Sequence, residues 1–392
     1  MIAPLDGVRV VDLSQLLPGA LATQMLGDLG ADVVKVEPPG FGDAARFTVP
    51  MVGEQSAFFL LLNRNKRSVT LNLKSEAGCE VLWRLVDQAD VFVEGFRPGV
   101  LERLGFDAQS VLRRNRRVVY CSITGYGQSG PWKDRAGHDL NYQALAGLVS
   151  LGAGPDGAPA VPGGQIADVA GGSWPAVSGI LAALLARERT GEGQVVDVAM
   201  TDGATSLMPI ALGEAADGVP FRGPGRGMIT GALPSYGIYR CSDDRHITLG
   251  ILEPKFWSSF VHAVGHPEWE ARQMGSPDEM EGMRADLAVL FAERTRDEWM
   301  EVLSDPALCV APVLSPQEVA GHAYHEERGN FPWVDHPTAG RVRSLATPIR
   351  LSAAPPPPER PSPALGEHTE AVARELGYGD DDLVALRERG AW

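Results

Sequence analysis

The first 125 residues alternate two hydrophobic rhythms. "GVRVVDLS" (7–14) is a short β-branched run ending in polar residues, and "PGALATQMLGDLGA" (18–31) carries a helix pattern, with Pro18 near its start and Gly30 near its stop. "DVVKVEPPG" gives the next strand, closed by a Pro-Pro-Gly turn. The cycle then repeats: a strand in "KRSVTLNL", a helix over Ser75–Gln88, a strand in "DVFVEG", a further helix and the strand "RVVYCSITG". Strands alternating with helices of about 10–15 residues predict βαβ units, hence an α/β fold with a mostly parallel sheet covered on both faces. Ligands of such sheets sit beyond the strand C-termini.

Further on, "SWPAVSGILAALLAR" (173–187) predicts a largely apolar, buried helix, and "GQVVDVAMTDGATSLM" one more strand and helix. The glycine- and proline-rich stretch 217–234 reads as a linker or loop. A smaller α/β unit follows, with the hairpin-like "YGIYRCSDDRHITLGIL" and then helices to about residue 308. "HPTAGRVRSLATPIRLSAAPPPPERPSP" is extended and proline-rich, a covering tail ahead of a last helix in "GEHTEAVARELG".

Composition narrows the function classes. The 392 residues are 44% hydrophobic and 22% charged, ordinary for a globular enzyme, and long enough for two domains. A net charge of −15 argues against a nucleic-acid partner, which needs clustered Lys and Arg, but leaves room for an anionic ligand held locally. The four cysteines, Cys79, Cys121, Cys241 and Cys309, lie far apart without a CxxC pair, as expected of reduced thiols in a cytoplasmic protein. The N-terminus lacks the basic start of a signal peptide. No stretch reads as the roughly 20 apolar residues of a membrane span.

Several motifs fail on context. "GYGQSG" (125–130) matches GxGxxG after a strand, yet Pro131 follows and no acid ends a strand where a ribose would need one. "HAYHEERG" (322–329) lacks a third ligand at a recognised spacing, so no metal site is predicted. "GGQIADVAGGSWPAV" (163–177) is more informative. Asp168 precedes Gly171, Gly172 and Ser173, which open the apolar helix; N–H groups there can stabilise an oxyanion, while Asp168 itself is either a cap or a reactive carboxylate. "AGHDLNYQALAG" (136–147) sets His138 beside Asp139 at the mouth of a helix, as a structural hydrogen-bonder or a base. "GILEPKF" (250–256) ends an apolar strand on Glu253, an acid facing water or orienting an imidazole.

Taken together, these segments resemble the class III CoA-transferase family (CaiB/BaiF type), which also contains the α-methylacyl-CoA racemases. The resemblance runs almost end to end. It is carried by "LDGVRVVDLSQLLPGALATQMLGDLGADVVKVEPPG", "NRNKRSVTLNLKSEAG", "DVFVEGFRPGVLERLG", "SITGYGQSGPWKDRAGHDLNYQALAGL", "GEGQVVDVAM" and "ALGEHTEAV". It implies a Rossmann-like large domain over 1–200, completed by 330–392, a linker at 201–232, a small domain at 233–308 and a return linker at 309–329. It also implies two chains interlocked as a homodimer, with each site between one chain's large domain and the other's small domain.

The family divides at the position of Asp168. In the transferases the matching aspartate attacks an acyl-CoA thioester to form a mixed anhydride. In the racemases it is one of two bases, with a histidine as the other, exchanging the α-proton of a 2-methylacyl-CoA through an enolate. The racemase pattern has Gly-His-Asp before a helix, matched by Gly137-His138-Asp139, and a glutamate before proline, matched by Glu253-Pro254, whose acid pairs with the histidine. This chain therefore resembles the racemase branch, with CoA transfer as the alternative. Neither reaction requires a metal or a cofactor beyond coenzyme A as substrate carrier. The positions matching the family's CoA groove are Leu71, Gly95, Phe96, Arg103 and Arg135, with Lys133 and Asp139 beside them. A basic residue common after the second strand's acid is replaced here by Pro38, following Glu37. "GRGMITGALPSY" lacks the run of glycines found in formyl-CoA transferases.

Overall fold

The computed structural model of the chain describes residues 2–356 and 358–392. It divides into two compact units, the first made of 1–146, 163–207 and 324–392, the second of 147–162 and 208–323.

Six parallel strands form the first unit's sheet: β1 (Arg9–Asp12), β2 (Asp32–Glu37), β3 (Lys66–Thr70), β4 (Val91–Glu94), β5 (Val119–Thr124) and β6 (Val195–Ala199). Their spatial order is β3-β2-β1-β4-β5-β6, with Val10 level with Val33 on one side and Val91 on the other. The chain thus winds outward from β1 in both directions, so its connections leave β1 and β4 on opposite faces and open a crevice beyond their C-terminal ends.

The helices that cover the sheet are α1 (Leu16–Asp28), α2 (Glu76–Asp87), α3 (Ala108–Arg114), α4 (Asp139–Ala146), α5 (Ile166–Thr190) and α6 (Met200–Thr205). Their boundaries follow from capping chemistry. Ser75 accepts the Gly78 N–H at the start of α2, and Asp107 accepts the Ser110 N–H at the start of α3. On α2, Val81, Leu82, Leu85 and Val86 lie on one face, and they meet Val11, Val34 and Phe92 of the sheet in a core that excludes water.

The C-terminal segment belongs to this core. Thr70 donates its N–H to Thr369 Oγ at 3.0 Å, Asn72 donates to the Ala391 carbonyl at 2.7 Å, and Leu376, Tyr378 and Leu386 pack against α2. The proline-rich tail is less extended than its composition predicts, because Trp333–His336 and Gly340–Arg343 pair as a hairpin. Charged residues 380–388 form a further helix.

In the second unit, β7 (Tyr236–Arg240), β8 (His246–Gly250) and β9 (Val310–Pro312) form an antiparallel sheet with β8 central. It packs under helices contributing Trp257, Phe260, Phe291 and Trp299. Three predicted boundaries change. Residues 147–162 group with the second unit rather than with 1–200. The stretch 201–232 is largely helical at its start, where Pro209 opens the helix Pro209–Ala216. The stretch 309–329 contributes β9, whose Pro312 and Val310 pair with Ile247 and Leu249.

The helix α5 also corrects the expectation that no segment has the length of a membrane span. Within its 25 residues an 18-residue stretch reaches a mean hydropathy of 1.6. It packs against α1, β5 and β6, so its apolar character is that of a core helix.

Candidate active site

The crevice between β1 and β4 holds a cleft of about 690 Å³. One wall is the segment Ser14–Gly19, leading from β1 into α1. Here Leu16 adopts φ = 60°, a left-handed backbone that strains a bulky L-residue. The cost is offset by neighbours that fix the segment. Asp43 accepts the Leu16 N–H at 3.1 Å, Lys35 donates to the Ser14 carbonyl at 2.8 Å, and Asp12 accepts both the N–H and hydroxyl of Ser14.

Beneath that wall lies a fully buried charge network. Lys35 pairs with Asp43 at 2.8 Å and Lys66 with Asp12 at 3.2 Å. Burial opposes the charge on Lys35, but Asp12 and Asp43 outweigh it and hold its pKa above the ordinary lysine value. For Lys66 burial wins, and its pKa is pulled down to about 8.

The opposite wall is Gly95–Pro98, after β4. Glu94 curls back to accept the Phe96 N–H at 2.8 Å and also accepts the Ser122 hydroxyl. Burial, with Asp197 nearby, pushes the Glu94 carboxyl up to about 7.

His138 and Asp168, which lie 30 positions apart in sequence, line this same cleft. His138 is exposed at the entrance to α4, its N–H donating to Asn141 Oδ1 at 3.0 Å and its carbonyl accepting from the Asn141 N–H at 2.8 Å. Asp168 is half-buried in the first turn of α5, and Asp139 Oδ1 accepts its N–H at 3.0 Å. Burial, followed by the charge of Asp139, pushes the Asp168 carboxyl up to about 6.

A wide turn of π-helix, Val169–Ser173, follows Asp168 directly. It is shaped by a close backbone approach, because a Cβ at Gly203 would lie 2.1 Å from the Gly171 carbonyl oxygen. Ser173 fastens the turn to the first wall by donating to the Pro18 carbonyl at 2.7 Å.

This corrects one expectation. Gly171, Gly172 and Ser173 do not open the helix; they are buried inside it, one turn after its start at Ile166, because the short run Ile166–Asp168 continues straight into the π-turn.

The predicted groove residues divide. Gly95, Phe96, Lys133 and Arg135 line the cleft, with the Arg135 guanidinium 3.9 Å above the Trp132 ring. Leu71 lies in the core at 2% exposure, drawn there by the apolar contacts of α2 and the sheet. Arg103 is exposed on the short helix Val100–Arg103 and does not line the cleft. Asp139 stands behind Asp168 rather than on the cleft surface, since its two oxygens are taken by the Asp168 N–H and the Gln143 amide. Glu253 belongs to the second unit, exposed at the N-terminus of the helix Pro254–Ala263 and making no capping bond with its side chain.

Sequence reasoning missed Arg97, Gln165 and Tyr142, which also line the cleft. Arg97 was findable, as a cation in the turn following a strand at the sheet's switch point.

Among the described residues no cluster of three His, Cys, Asp or Glu side chains has metal-binding geometry. The cleft as built offers a carboxylate with a raised pKa and an imidazole, flanked by cations and an apolar wall.

Comparison with known proteins shows the family. Residues 5–369 match the model of CoA-transferase family III. The chain is 35% identical to human alpha-methylacyl-CoA racemase, over 97% of this chain and 96% of the relative. It is 33% identical to a formyl-CoA:oxalate CoA-transferase of Bradyrhizobium sp. (strain ORS 278), over 100% and 98%. The crystal structure of a CaiB/BaiF family protein from Brucella suis superposes with a TM-score of 0.83 at 33% identity, covering 96% of this chain and all of that one. Matched in sequence across both units and in fold over nearly its whole length, the chain belongs to CoA-transferase family III, whose members here are acyl-CoA racemases and CoA-transferases.

Proposed function

We propose that the protein racemises 2-methylacyl-CoA thioesters by 1,1-proton transfer. The observation that carries this reading is that His138 and Asp168 line one cleft, with the carboxylate's pKa raised to about 6. A base of raised pKa is stronger yet still ionised at neutral pH, which suits removal of a weakly acidic α-proton. One group takes the proton, the electron pair moves into the thioester carbonyl as an enolate, and the other group delivers a proton to the opposite face. Lys133 and Arg135 suit the CoA phosphates. Glu253 orients the imidazole when supplied by the second unit of a partner chain.

The second reading, CoA transfer through an aspartyl mixed anhydride at Asp168, is favoured by the transferase relatives at similar identity. It leaves His138 without an essential task.

Incubation with a single epimer of a 2-methylacyl-CoA in deuterated water separates the two. Racemisation washes deuterium into the α-position and needs both His138 and Asp168. Acyl transfer to a free acid without wash-in, together with an aspartyl adduct trapped by hydroxylamine, would overturn the racemase reading.

The homodimer is also part of this proposal. It is supported by the helix Pro209–Ala216, which buries no residue in the single chain and leaves Ile210 50% and Leu212 44% exposed. Sedimentation is expected to give twice the chain mass at micromolar concentration; a monomer would remove Glu253 from the site as drawn.

A further inference from the structure

Tyr142 is 93% buried, lies four residues after His138 on α4, and has not so far been given a task. Its hydroxyl donates to the carbonyl of Gly137, the residue immediately before His138. Its ring occupies the space that side chains at two cleft positions would need. A Cβ on Gly125 would lie 2.3 Å from the ring, and one on Gly137 2.7 Å from it. The ring is itself fixed by an edge-on contact with Tyr126 at 5.1 Å, and Tyr126 packs against Trp132 at 5.4 Å. Both sides of the Gly137–His138 peptide are therefore held. Tyr142 takes the carbonyl before it and Asn141 Oδ1 takes the His138 N–H.

Asp168 is held by a separate clamp. Asp139 accepts its N–H, and Gln143 donates to Asp139. All four holding groups lie on the single helix α4, in two sets. Asn141 and Tyr142 serve the histidine, and Asp139 and Gln143 serve the carboxylate.

We propose that Tyr142 is a positioning residue for His138, and that it acts on the imidazole's face of the reaction alone. Losing its hydroxyl frees the Gly137 carbonyl and lets the Gly137–His138 turn shift, while the Asp139–Asp168 clamp is untouched. This rests on the racemase reading above, in which the two groups serve opposite faces of one carbon. A small displacement of a proton-transfer group is enough to lower its rate strongly.

The test is face-resolved exchange in deuterated water with each epimer separately. His138→Ala identifies which epimer depends on the imidazole. In Tyr142→Phe, wash-in from that epimer is expected to fall about 10-fold or more, while wash-in from the other stays within about 2-fold of the parent. Gln143→Leu is expected to show the reverse preference. Equal losses at both faces, or no loss at either, would overturn the role given to Tyr142 and leave the racemase reading standing. Absence of exchange in the parent enzyme, with acyl transfer in its place, would overturn both.

Discussion

Replacing Asp168 by asparagine is expected to lower turnover by about 10³-fold, whichever of the two reactions the protein performs. The change keeps the shape of the side chain, the Asp139 contact to the backbone N–H and the π-turn behind it, so folding should be unaffected. What it removes is the ionisable group. The pH profile then reports the environment of that group. In the direction in which it takes the α-proton, and as the nucleophile of acyl transfer, Asp168 acts in its ionised form, so that rate rises as pH passes upward through its pKa, placing the acid limb at about 6 in the parent protein. Asp139→Asn removes the negative charge that, after burial, contributes most to that value. Ionisation of Asp168 becomes easier, and the limb is expected to move to lower pH. Steady-state rates of both proteins between pH 4 and 8 measure this; a limb that stays in place would mean that a different group controls the profile.

The second large effect concerns stability. Asp12→Ala should cost about 3–5 kcal/mol, because it leaves a buried ammonium without its counter-charge. Asp12 is fully buried, takes Lys66 at 3.2 Å and accepts the Ser14 and Thr23 hydroxyls at 2.5 and 2.6 Å. Lys35 adds to the field that holds its pKa below the ordinary aspartate value despite burial. Urea unfolding followed by tryptophan fluorescence reads the loss as a lower midpoint. The double variant Asp12→Leu with Lys66→Met should recover most of it, since removing both charges also removes their desolvation cost. A single variant as stable as the parent would show that Lys66 is neutral in the fold. Because the network also carries Ser14 and the strained Leu16, the cleft wall and the stability of the unit have a common support.

These two experiments touch opposite ends of what the chain encodes. The strand–helix alternation and the parallel sheet were legible from local pattern, because hydrogen bonding and hydrophobic periodicity act over a few neighbouring residues. His138 and Asp168 were legible as residues, carried by a family resemblance rather than by spacing. Glycine at 171 and 172 was legible too, but its meaning was misread. A helix opening and a π-turn pressed against Gly203 call for the same small residue, and the contact that distinguishes them comes from 32 positions further along.

The sequence by itself determined the fold class, the strand-to-helix rhythm of the first unit and the residue types able to move a proton. Only the tertiary structure decided that β1 and β4 part at the crevice, and that the imidazole and the carboxylate share it. It also decided that Asp139 stands behind Asp168 and raises its pKa, and that Leu71 belongs to the core. The reason is physical. Periodicity records which face of an element is buried, whereas pKa values, strain and shared cavities depend on burial and distance between groups far apart in the chain.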